Sequence, residues 1–204
     1  MAISYPQGKP LLDLVGKSKA SDVKIALIEN AADVYQEGSK DWMYDNRNSI
    51  QAHGFQIELV DLEEYRLGER RDLMVRLENA DAIWLGGGNT YYLRWILRET
   101  RADSIISGYI KRGKVYGGGS AGAIIAGPTL EFFQPADDPS KAKDVILDGL
   151  ALTDTVVVPH WENEKYGDVM RGIEQKLDDH GFKTIHITDD QVVIFDGNKQ
   201  PVVI

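Results

Sequence analysis

Gly118-Gly119-Ser120-Ala121-Gly122 fits the pattern G-x-S-x-G, and the chemistry this pattern serves is acyl transfer through a serine nucleophile. In such a motif a sharp strand-to-helix turn holds the serine in a strained backbone conformation, which is tolerable only where its neighbours lack side chains. Gly118, Gly119 and Gly122 supply that room. The stretch Lys114–Tyr116 reads as a strand ahead of the turn, and the apolar run AGAIIAG follows it. The hydroxyl is therefore expected above the carboxyl end of a sheet, where open α/β folds bind ligands. The plain alternative is a Gly/Ser-rich turn whose serine caps a helix. The place of the motif after a buried strand favours the nucleophile.

A serine nucleophile needs a base, and the chain has four histidines, at 53, 160, 180 and 186. His160 follows TVVVP, at the carboxyl end of an apolar strand, on the same rim as Ser120. His53 and His180 stand beside helix-ending glycines, where histidine commonly complements the helix dipole. His186 lies inside a short strand. His160 is thus the expected general base. A carboxylate should orient it, and Glu131, Asp137, Asp138, Glu162 and Glu164 are the candidates. The chain order Ser, acid, His puts Asp137 first, with Glu131 and Asp138 behind it. The same acidic stretch also fits a solvated loop.

Ile83-Trp84-Leu85 runs into Gly86-Gly87-Gly88-Asn89-Thr90, after which a helix begins. Backbone N–H groups of such a loop can cradle phosphate. The loop lacks the Lys-Ser/Thr ending of a P-loop and the G-x-G-x-x-G spacing. The reading preferred here gives Gly88 and Ala121 the two N–H donors of an oxyanion hole for Ser120.

The composition narrows the field further. With no cysteine among 204 residues there is no disulfide, no thiolate metal site and no thiol nucleophile. The histidines are too scattered for a zinc-ligand spacing, and neither a metal nor another cofactor is expected. A net charge of −9 argues against a nucleic-acid partner, which needs a Lys/Arg footprint. No apolar run approaches the ~20 residues of a membrane span, and the opening residues do not read as a secretory signal. A cytoplasmic protein, monomeric or homodimeric, with a short peptide as its partner is the expectation.

The elements that must position these residues alternate between apolar β-branched runs and helical patterns, the signature of an α/β fold with a parallel sheet. Strands are expected at Val23–Ile28, Gln56–Val60, Asp81–Leu85, Lys114–Tyr116 and Thr155–Val158, with a weak one at residues 2–5. Helices are expected over 40–53, 69–79, 90–99, 102–112 and 165–180. Lys183–Ile187, Gln191–Phe195 and Pro201–Ile204 read as an antiparallel meander at one sheet edge, with DGNKQ as a turn. The segment Thr129–Asp148 is irregular, and loops of this length are usually functional or mobile. No linker or repeat divides the chain, so a single domain over 1–204 is expected.

Taken together, GGGNT at Gly86–Thr90, SAGA at Ser120–Ala123 followed by Gly127-Pro128-Thr129, and Pro159-His160 resemble the aspartyl dipeptidase (peptidase E) and cyanophycinase family of serine peptidases. The resemblance runs in spacing from the strand at 23 to the closing strands. It implies the flavodoxin-like fold of class I glutamine amidotransferases, with serine in place of cysteine at the nucleophile turn. It implies Ser120 as nucleophile, His160 as base, Gly88 and Ala121 as oxyanion-hole positions, and hydrolysis of short peptides, dipeptides with an acidic first residue among them. In the aspartyl dipeptidases an arginine after the catalytic histidine reads that acidic side chain, and Arg171 is the nearest match here, at a different spacing. The family's acid falls near Pro135, so a gap is needed to reach Asp137. Two rivals come from other classes. One is a non-catalytic flavodoxin-like module that holds a small anion on the Gly86–Thr90 loop. The other is an α/β-hydrolase esterase, which normally needs a longer chain and a late histidine.

Overall fold

Lys24–Ile28 (KIALI) is buried at every position after its first, as a parallel strand covered on both faces must be. The computed structural model describes residues 2–3, 8–68, 70–197 and 199–204. In chain order its first elements are β1 (Ala2–Ile3), α1 (Gly8–Val15), β2 (Lys24–Ile28), α2 (Asp41–Ala52), β3 (Gln56–Leu59), α3 (Arg70–Glu78) and β4 (Ala82–Leu85). They continue with α4 (Thr90–Thr100), α5 (Ala102–Lys111), β5 (Val115–Gly118) and the short α6 (Ala121–Ile124). β6 (Thr155–Val158), α7 (Gly167–Asp179), β7 (Lys183–His186), β8 (Val192–Ile194) and β9 (Val202–Val203) complete the described elements.

The main sheet has the order β3-β2-β4-β5, and all three pairings are parallel. Alternate side chains of β2 and β4 feed two cores, as a two-residue period requires. Ile25, Leu27, Ala82 and Trp84 pack with Leu11 of α1 and Ile50 of α2. Ala26, Ile28, Ile83 and Leu85 face the larger core, which holds Leu73 and Leu77 of α3, the apolar side of α4 and Ile106 of α5. The mainly parallel α/β architecture expected from the sequence is the one observed.

Three differences from the sequence reading matter. The sequence pattern predicts no element at α1. Pro10 falls in its first turn, where a missing N–H costs no helical hydrogen bond, and Leu11 is fully buried. Next, β7 does not join an antiparallel meander. It pairs in parallel with β6, through Val156 opposite Thr184 and Val158 opposite His186, with α7 as the crossover helix. The tight-turn reading overlooked that a helix between two strands makes a βαβ unit, whose strands run parallel. The antiparallel part is the small sheet β1-β8-β9. Finally, of the weak strand at 2–5 only Ala2–Ile3 is seen. Residues 4–5, Glu69 of the helix expected over 69–79 and Asn198 of the expected DGNKQ turn lie outside the described residues.

The segment 129–148 is not loosely draped. A single antiparallel bridge joins Thr129 to Asp148 at its ends, Leu130 and Phe133 are fully buried, and Tyr91 of α4 donates its hydroxyl hydrogen to the Leu130 carbonyl. Compact loops closed in this way present a fixed face.

Candidate active site

β4, β5, β6 and β7 all end at one rim, and the residues just beyond their carboxyl ends form the site. Ser120 lies two residues past β5 and caps the start of α6 with φ 49° and ψ −111°, a conformation L-residues rarely adopt. Gly122 makes this bend possible. A Cβ there would stand 2.2 Å from the carbonyl oxygen of Leu85, and that same oxygen accepts the N–H of Gly119 at 3.0 Å. The end of β4 thus grips the turn, with no space for a methyl group. Gly122→Ala is expected to lower stability by about 2 kcal/mol, roughly 4–8 °C in melting temperature by calorimetry. An unchanged transition would mean that the turn has slack.

His160 lies two residues past β6 and is a second non-glycine residue in left-handed territory, at φ 63°. Its Nε2 is 2.9 Å from Ser120 Oγ. Its Nδ1 is 2.6 Å from Oδ1 of Asp189, and Oδ2 of Asp189 accepts a hydrogen bond from the Asn163 side-chain amide at 2.8 Å. Asn163 is itself fixed, because its Oδ1 accepts the N–H groups of Lys165 and Tyr166. With a hydrogen on Nδ1 held by Asp189, Nε2 is left as the acceptor that faces the serine hydroxyl.

Asp189, and not Asp137, stands at Nδ1 of His160. Among the described residues Asp137 makes no hydrogen bond to His160. Its Oδ2 accepts both the N–H of Thr90 at 2.9 Å and the Thr90 hydroxyl at 2.5 Å. Glu131 is held by a bond from its N–H to the Thr129 hydroxyl, and Asp138 caps the turn at Pro139–Lys141. Glu162 and Glu164 are exposed. The reason is topological: because β7 runs beside β6 in the same direction, a residue just past β7 lands next to a residue just past β6. The signal was in the sequence as a carboxylate after a strand, in HITDD, and the antiparallel reading hid it.

The glycine loop stands against the serine. A Cβ on Gly87 would lie 3.2 Å from Cβ of Ser120. Gly88 adopts φ +135°, and a Cβ there would lie 2.2 Å from the Ala31 carbonyl, so only glycine fits. Among the described residues the N–H groups of Gly88 and Ala121 donate no backbone hydrogen bond. Asn89 caps α4 by accepting the N–H of Tyr92, and its side-chain amide donates to the carbonyl of Asp138. Asn89 and Thr90 together therefore pin the segment that carries Asp137.

A cleft of about 530 Å³ opens over Ser120 and His160. Gly87, Gly88, Asp137 and Asp189 line it, together with Tyr35, Trp42, Tyr166 and Met170. Arg171 does not. On α7 its guanidinium turns back to donate to the Trp161 carbonyl at 2.8 Å and pairs with Asp168. A residue four places into a helix points where the helix face points, and this face covers Trp161 rather than the cleft. Among the described residues no cluster of His, Asp and Glu has a metal-holding arrangement, and no helix is long and apolar enough to cross a membrane.

With this geometry established, comparison with known proteins is informative. The family model for Peptidase family S51 matches residues 8–203. The uncharacterized peptidase Lmo0363 of Listeria monocytogenes is 33% identical over 128 residues, 62% of this chain and 61% of that protein. Peptidase E of Escherichia coli is 36% identical over 94 residues, 45% of this chain and 39% of that one. The chain thus matches less than two thirds of the length of either relative. A crystal structure of a candidate peptidase E protein from Listeria monocytogenes EGD-e superposes with a TM-score of 0.82, covering 99% of this chain and 95% of the other at 23% identity, and it shares the fold.

Proposed function

The chain belongs to peptidase family S51, and from that premise we propose that it is a serine peptidase of short peptides in which Ser120, His160 and Asp189 act as nucleophile, base and orienting acid. The observation that carries the reading is the continuous line from Ser120 Oγ to His160 Nε2 at 2.9 Å and from His160 Nδ1 to Asp189 Oδ1 at 2.6 Å. Two strained non-glycine residues meeting in one cleft add to it, since such strain persists mainly where function requires it.

His160 Nε2 takes the proton of the Ser120 hydroxyl as Oγ attacks the scissile carbonyl carbon. The carbonyl oxygen becomes an oxyanion, which the free N–H groups of Gly88 and Ala121 stabilise, each such donor contributing about 3–4 kcal/mol in comparable sites. As the tetrahedral intermediate collapses, the C–N bond breaks and the imidazolium gives its proton to the leaving amine. Water then attacks the acyl-serine ester with His160 again as base, which releases the carboxylate product and restores the hydroxyl. Asp189 stays ionised and stabilises the imidazolium. The resemblance implies an acidic first residue, and Arg171 is its nearest match for a residue that would read that side chain. That guanidinium is held against Trp161 and Asp168, so Arg171 takes no part in this proposal.

A fluorophosphonate probe tests the reading. Wild type and the surface control Ser104→Ala should be labelled, Ser120→Ala should not, and peptide mapping should place the adduct on Ser120. Equal labelling of the two variants would remove the nucleophile from the scheme.

A further inference from the structure

Asn30 does not line the cleft. It follows β2 directly and is 4% exposed, with partners at both ends of its side-chain amide. Nδ2 donates to Asp33 Oδ2 at 2.7 Å and to Asp61 Oδ1 at 2.8 Å, and Oδ1 accepts the N–H of Leu62 at 2.9 Å. One amide thus ties the turn after β2 to the turn after β3, 31 and 32 residues along the chain. Two carboxylates converge on it. Partial burial lifts the Asp33 carboxyl above the usual aspartate range, against the bond from Asn30, and the charge of Asp61 lifts it further. Without the amide between them, Asp33 and Asp61 would push the two turns apart.

What Asn30 holds in place is the next peptide. The Ala31 carbonyl accepts the N–H of Asn89 at 2.8 Å, and its oxygen stands 2.2 Å from where a Cβ of Gly88 would be. Gly88 is packed directly on Ala31, with no slack to absorb a shift of that peptide. A second limb returns from the far side. Asp61 Oδ1 also accepts the N–H of Glu63 at 2.9 Å, and Glu63 Oε1 accepts the Tyr92 hydroxyl at 2.8 Å. Tyr92 in turn gives its N–H to Oδ1 of Asn89. A closed circuit of hydrogen bonds therefore runs from Asn30 through Asp61, Glu63, Tyr92 and Asn89 to Ala31, with Gly88 beside it.

We propose that Asn30 is a positioning residue of the oxyanion hole, fixing through the Ala31 carbonyl where the Gly88 N–H points; this rests on the serine-peptidase reading. A donor stabilises an oxyanion fully only when it is already aimed at the place where charge develops, and misplacement by an ångström costs about a hundredfold. Asn30 touches neither substrate nor Ser120, so its part in the rate is one of aim.

The fluorophosphonate probe reads this aim: Oγ attacks phosphorus, fluoride leaves, and the phosphoryl oxygen takes the place of the oxyanion. Labelling rates are compared at a temperature where melting curves show each variant folded. Asn30→Ala should label about a hundredfold more slowly than wild type. Tyr92→Phe opens the other limb while its ring keeps the contact with Trp95, and it should label about threefold to tenfold more slowly. In both, the plateau of the pH–rate profile should fall and its midpoint should stay, because His160 and Asp189 are unchanged. A labelling rate in folded Asn30→Ala equal to that of wild type overturns the inference. So does a shifted midpoint, which would mean that the change acts on the base. If Asn30→Ala does not fold, Tyr92→Phe decides by the same two readings. Wild type labelled on Ser120, with Asn30→Ala labelled equally fast, sinks only the inference. Wild type that takes no label sinks the serine reading, and the inference with it.

Discussion

Ser120→Ala is expected to lower kcat about a millionfold on any peptide the wild type cleaves, while binding of that peptide changes little. The size follows from how the site is wired. Without Oγ there is no acyl intermediate, and His160 has no hydroxyl to deprotonate. The N–H groups of Gly88 and Ala121 and the cleft still bind and polarise the carbonyl, so a residual rate of about 10³–10⁴ over water should survive. The loss corresponds to about 8 kcal/mol of barrier. Steady-state kinetics with active-site titration checks it. A loss of only tenfold would mean that a water or another group attacks the carbonyl and that the 2.9 Å contact from Ser120 to His160 is incidental.

Asp189→Asn should cost about 10⁴ in kcat with a small change in KM. The reasoning is one of tautomers. Asp189 Oδ1 accepts from Nδ1 at 2.6 Å and leaves Nε2 bare. An asparagine held by Asn163 in the same place can turn its amide N–H toward Nδ1, which moves the ring hydrogen to Nε2, where it faces Ser120 and blocks proton transfer. The side chains are nearly the same size, so the fold should remain and the melting temperature should stay within a few degrees. The comparison with Asp137→Asn is informative. A loss of kcat confined to the change at 189 supports Asp189 as the partner of His160. A loss of kcat in the change at 137 as large as that at 189 would return that role to Asp137.

Ser120 and His160 were legible in the sequence because each follows an apolar strand directly, and strand ends in a parallel sheet share a rim. Asp189 was hidden by a direction, not by a residue type. KTIH followed by ITDD reads equally well as one arm of a meander, and only the pairing of Val158 with His186 shows which way it runs. The apolar strands and most helix limits were legible for the usual reason, a hydrophobic period that matches the burial. α1 was not, since eight residues opening on Gly-Lys-Pro carry little periodic signal. Arg171 shows a different limit: spacing along a chain says nothing of where a long side chain folds, and a carbonyl at 2.8 Å decided it. Asn89 and Thr90 drew attention as part of a glycine loop. Their work on the segment carrying Asp137 depends on contacts nearly fifty residues away, which no local pattern encodes.

The proposed nucleophile and its proposed base ride on separate pieces of the molecule. Ser120 and the glycine loop extend from the four-stranded sheet, whereas His160 and Asp189 extend from the β6–β7 pair, and among the described residues no strand ladder joins the two. What holds them in step is α6 wedged between β5 and β6, with Gly127 close against Thr155 and Val156. The contact of Ser120 with His160 is in effect a gauge of that seam. A slip of an ångström between the halves would leave both sheets intact and yet silence the chemistry by about a hundredfold. Substitutions along the seam, far from the cleft, are therefore expected to lower the rate as those in the cleft do.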